Sequence, residues 1–65
     1  MLKEICEFIN EKESSHDIMY CYEEYLDGAM DRDVLISICQ RVLDDAREDL
    51  QVYPEYKKYS EWLGI

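Results

Sequence analysis

With 16 Asp and Glu against 7 Lys and Arg, this 65-residue chain has a formal net charge of −9 at pH 7, beyond the magnitude of roughly 2 to 8 that keeps a small domain dispersed. Such a field repels phosphate backbones and anionic bilayers, so it argues against direct nucleic-acid or membrane binding and points to a basic protein as complement. The length allows one domain over residues 1–65 with a thin core, since chains of about 60 residues bury only about 60% of their unfolded surface. A hydrophobic content of 48%, with 6 tyrosines and 1 tryptophan, still sets the chain apart from a disordered acidic tail.

The start, Met1-Leu2-Lys3-Glu4, lacks the basic and then apolar layout of a signal peptide. No apolar run approaches the ~20 residues that cross a bilayer, and the expected location is the cytoplasm. From Leu2 to about Lys12, the apolar residues Leu2, Ile5, Cys6 and Ile9 recur three and four apart, the period of one helix face. The opposite face collects Glu4, Glu7 and Glu11, like charges at the same spacing with no cation between them.

Ser14, Ser15 and Asp17 interrupt the pattern with side chains that accept hydrogen bonds from the amides of a helix start. The second helix they open is expected to bury Ile18, Tyr22, Tyr25, Leu26 and Ala29, and to turn Tyr20, Glu23, Glu24 and Asp27 outward. Gly28 offers a left-handed exit, and Asp31 or Asp33 a new cap. A third, longest helix is predicted from about Arg32 to Leu50, with Leu35, Ile38, Cys39, Val42, Leu43, Ala46 and Leu50 as its apolar stripe. Its outer side shows Ser37, Arg41, Asp44 and Glu48, with Asp45 and Asp49 at the margin. Arg41 with Asp45, and Asp44 with Arg47, are pairs worth about 0.2 to 0.5 kcal/mol each.

Pro54 stops or bends that helix and suits the first position of another. A closing helix from Glu55 to Leu63 would turn Tyr56, Tyr59 and Leu63 inward and leave Lys57, Lys58 and Glu61 in water, with Gly64 as its end. The remaining tyrosines and Trp62 are expected in the core. The predicted fold is all-α, a small three-helix bundle with a short fourth C-terminal helix.

Chemical motifs are sparse. Cys6, Cys21, Cys39 and His16 are zinc-ligand types but lack the closely spaced cysteine pairs of a structural site, so core packing of reduced thiols is the better expectation. His16 and Cys21 lie five positions apart on poorly aligned helix faces, a weak nucleophilic pair. In the first helical turn, His16 reads as a neutral surface or capping residue. Neighbouring carboxylates such as Glu23 and Glu24, or Asp44 and Asp45, diverge by about 100° on a helix, and Asp27, Asp31 and Asp33 lack the ligand spacing of a calcium loop. Neither catalysis, a cofactor nor a metal is expected.

What remains is surface. The rows Glu4, Glu7 and Glu11; Glu23, Glu24 and Asp27; and Asp44, Asp45, Glu48 and Asp49 place like charges about 5 to 6 Å apart at Cβ, a spacing that could imitate a phosphate backbone. Tyr20, among the second row, is the residue type that concentrates binding energy at interfaces. The expected function is a small inhibitor or modulator of phage or mobile-element type. It would occlude the basic surface of a nuclease, repressor or other nucleic-acid-handling protein as a DNA mimic. The alternatives are a toxin-neutralising immunity protein of bacteriocin type, or a structural or regulatory subunit that forms a homodimer through the third helix and Tyr56, Tyr59 and Trp62.

Overall fold

Wherever apolar residues recur at helical spacing, the chain is helical: α1 Leu2–Lys12, α2 Ile18–Leu26, α3 Arg32–Asp45, α4 Arg47–Leu50 and α5 Pro54–Leu63. The computed structural model describes residues 1–13 and 17–65, and these include no strand. Helices α1, α2 and α3 pack on one another and α5 closes against α3, so the all-α bundle expected from the sequence is the architecture. Ser14, Ser15 and His16, two expected caps and the histidine, lie outside the described residues.

The stripe of α1 is buried as expected at Leu2, Ile5, Cys6 and Ile9, and it is wider by one residue, Phe8. Tertiary contact explains the extra width. The Phe8 ring meets Tyr53 and Tyr59 edge-on, with centroids 5.9 and 5.3 Å away, an arrangement that matches ring edges to ring faces. On α3, Leu35, Cys39, Val42 and Leu43 are buried and Ile38 is half-buried, which makes α3 the central helix of the bundle.

Three expectations fail. The predicted Arg32 to Leu50 helix is broken at Ala46 (φ −100°, ψ 21°), and α4 is a separate turn. Alanine is the best helix former, so propensity carries no signal of this break, and the break lets Ala46 and Leu50 beyond it both lie buried. Leu26 and Ala29 are exposed, because α2 ends at Leu26 and Gly28, at φ 84°, turns the chain away before another helical turn can bury them. Trp62 is 39% exposed and sits beneath the Arg32 guanidinium at 5.5 Å instead of in the core.

The capping differs in kind from expectation. Asp17 and Asp31 precede α2 and α3, but neither carboxylate accepts an amide of the first turn. Asp31 serves through its carbonyl, which takes the amides of Val34 and Leu35 at 3.1 Å each. Pro54 opens α5 and Gly64, at φ 81°, ends it, as the fixed φ of proline and the left-handed freedom of glycine require.

Side-chain hydrogen bonds fasten α5 to α3: the Tyr56 hydroxyl donates to the Leu43 carbonyl at 3.4 Å, and the Gln40 amide donates to the Leu63 carbonyl. One group in this interface is unsatisfied, for the Ser60 hydroxyl is buried with no hydrogen-bond partner. A buried unpaired hydroxyl forfeits its hydration without return, so Ser60→Ala is expected to stabilise the fold by about 1 kcal/mol. In a domain of this size that raises Tm by about 4 to 8 °C. A thermal melt followed by circular dichroism with an unchanged or lower Tm would show the hydroxyl to be satisfied.

Candidate functional site

Apolar periodicity sends one face of each helix inward and so fixes where the carboxylates emerge. Glu4, Glu7 and Glu11 all stand exposed along α1. The edge-on packing of Phe8 against Tyr59 brings α5 alongside, and with it a fourth carboxylate, Glu55. Glu4, Glu7, Glu11 and Glu55 line one groove of about 230 Å³ together with Phe8 and Tyr59. Sequence reasoning missed Glu55 and Tyr59 as members of this set, because 44 positions separate Glu11 from Glu55 and only the fold unites them.

The electrostatics of the groove register on Tyr59. Its phenol is pushed above its ordinary value, first by burial and then by the charges of Glu55, Glu4 and Glu7. Carboxylates around an aromatic ring suit a lysine or arginine side chain, which gains from the ring face and the charges together. The chain already uses this chemistry nearby. Lys12 sits 4.4 Å from the centre of the Tyr53 ring and 3.3 Å from the Glu11 carboxylate.

Intramolecular cations reach few of the other predicted carboxylates. Among the described residues, the ion pairs within 4.0 Å are the amino terminus with Glu4, Lys12 with Glu11, and Arg41 with Asp45 at 3.9 Å. The first holds the Glu4 carboxyl below its usual value. Glu4 and Glu11 are thus less free than the sequence suggested, whereas Glu7, Glu23, Glu24, Asp27, Asp44, Glu48 and Asp49 have no such partner among the described residues. The predicted Arg41–Asp45 pair forms with both side chains well exposed, a setting in which its contribution is about 0 to 1 kcal/mol. The predicted Asp44–Arg47 pair does not form, since the break at Ala46 lies between them; both instead line a cavity of about 160 Å³ with Tyr56, Ser60 and Ile65.

On α2, Tyr20 is 58% exposed, with Glu23 and Asp27 exposed and Glu24 half-buried. Hydrogen bonding to Glu24 and the charge of that carboxylate, one turn along, push the Tyr20 phenol above its ordinary value. The third predicted row is divided. Asp44 and Asp45 close α3 while Glu48 and Asp49 belong to α4, so a continuous wheel does not describe it, although all four are exposed. Cys6 and Cys39 are buried and Cys21 is half-buried, all as free thiols. Among the described residues, no three His, Cys, Asp or Glu side chains come together as metal ligands, and no helix is long and apolar enough to cross a membrane. No family model, curated protein or solved structure matches the chain.

Proposed function

We infer that the chain is a small binding protein that caps a cationic, nucleic-acid-handling surface of another protein in the manner of a DNA mimic. The observation that supports this reading best is the groove in which Glu4, Glu7, Glu11 and Glu55 surround Phe8 and Tyr59, backed by further exposed carboxylates that have no basic partner among the described residues. Charge density agrees with it. The longest extent of the molecule is 33 Å, a length over which duplex DNA carries roughly 19 phosphates, against 16 carboxylates here.

Opposite fields accelerate encounter and set orientation, while Tyr20 and the aromatic floor of the groove supply the apolar contact that slows departure. Self-association is the poorer complement, since a homodimer brings two fields of the same sign together. The test is capture of partners from the source cell on immobilised chain, followed by washing from about 0.1 M to about 1 M salt, over which the Debye length falls from ~10 to ~3 Å. A basic protein is expected to elute across that range and to lose its own DNA binding when the chain is added. Capture that is indifferent to salt, or that leaves DNA binding intact, contradicts the reading.

A further inference from the structure

Cys6 of α1 and Cys39 of α3 are 33 positions apart in the chain, yet their sulfur atoms meet at 3.8 Å with neither side chain exposed. Small apolar side chains in a packed core touch at such distances, and a free thiol packs as one. The two groups in contact, however, share a chemistry that other apolar residues lack. A disulfide has an S–S length of about 2.0 Å, so side-chain torsion and a shift of α1 along α3 have to bring the sulfurs closer for the bond to form.

We propose that Cys6 and Cys39 form a reversible disulfide that clamps α1 to α3, with a low-molecular-weight disulfide as oxidant. One protein thiolate attacks a sulfur of the small disulfide and expels half of it as a thiolate. The second protein thiolate attacks the resulting mixed disulfide at the protein sulfur and expels the other half. The protein gives up two protons and two electrons, and the small disulfide is reduced to two thiols.

The two thiols share a hydrogen bond in which either sulfur serves as donor, and burial opposes ionisation of both, so either one can open the exchange. Both sulfurs are enclosed, so exchange proceeds through transient opening of the core, which a domain this small permits. Cys21, half-buried on α2 and packed beside the same core, is reachable without such opening. Its own thiol is pushed up, first by burial and then by Glu24 and Asp17, and it is the competing site that Cys21→Ser removes. Closing the long loop between residues 6 and 39 restricts the unfolded chain. It also ties the helix bearing Glu4, Glu7 and Glu11 to the helix bearing Asp44 and Asp45.

The test equilibrates the full chain with oxidised and reduced glutathione, followed by intact mass, peptide mapping without reduction, and thermal melting. The expected product has lost about 2 Da, yields a peptide linking residues 6 and 39, and melts on the order of 10 °C above the reduced form. Cys21→Ser is expected to retain both the link and the rise in Tm, whereas Cys6→Ala and Cys39→Ala lose both. Glutathione adducts without the internal link, or a linked form that melts lower than the reduced one, would overturn the proposal. Mapping of the unaltered chain decides the matter even if the alanine variants fail to fold.

Discussion

Leu43→Ala is expected to leave half or more of the molecules unfolded at 25 °C. Leu43 is fully enclosed on α3, the helix that contacts α1, α2 and α5. Truncating a buried leucine removes its transfer free energy and leaves a cavity, together about 2 to 5 kcal/mol. A core in a chain this short rarely supplies more than ~3 to 5 kcal/mol in total, so the loss and the whole are of one size. The repulsion among unpaired carboxylates lowers the margin further. Urea denaturation followed by circular dichroism measures the effect. Leu26→Ala is the matched control: its side chain is 63% exposed, and its cost is expected to stay within about 0.5 kcal/mol. Equal effects at the two positions would mean that α3 is not the centre of the core.

The Glu7→Lys and Glu55→Lys double variant is expected to move stability and binding in opposite directions. Reversing Glu7 turns its repulsion from Glu4 and Glu11 into attraction, a gain of a few tenths of a kcal/mol per helical neighbour, and reversing Glu55 does the same across the groove, while Lys3 and Lys58, helical neighbours of the two positions, return part of it. The Tyr59 phenol, held up by burial and then by Glu55, Glu4 and Glu7, is expected to titrate at lower pH, which absorbance at alkaline pH detects. Affinity for the basic partner is expected to fall by tenfold or more, mostly in the association rate at low salt. A surface whose acidity serves only dispersal predicts the gain in stability without the loss in binding. Retained affinity in the double variant would therefore remove the groove from the interface.

Local chemistry made much of the fold legible in the sequence. Periodicity located the helices, Gly28 and Gly64 marked left-handed exits and Pro54 marked a helix start, because each of these signals acts within a few residues. Long-range packing was not legible. Phe8 is buried by Tyr53 and Tyr59 from the far end of the chain, Ala46 breaks a helix that its propensity favours, and Trp62 stays outside, stacked with Arg32 from another helix. The same division holds for the site. The row on α1 follows from spacing alone, while Glu55, Tyr59 and the meeting of Cys6 with Cys39 exist only once α1, α3 and α5 are assembled.

The stacking of Arg32 on Trp62 has an optical consequence. The indole is unique in the chain, belongs to α5, and is covered by a cation from the first residue of α3. Its emission therefore reports whether the terminal helix is seated on the central one, separately from helix content. Fraying of α5 can be followed by fluorescence while the far-ultraviolet signal of the other helices remains unchanged.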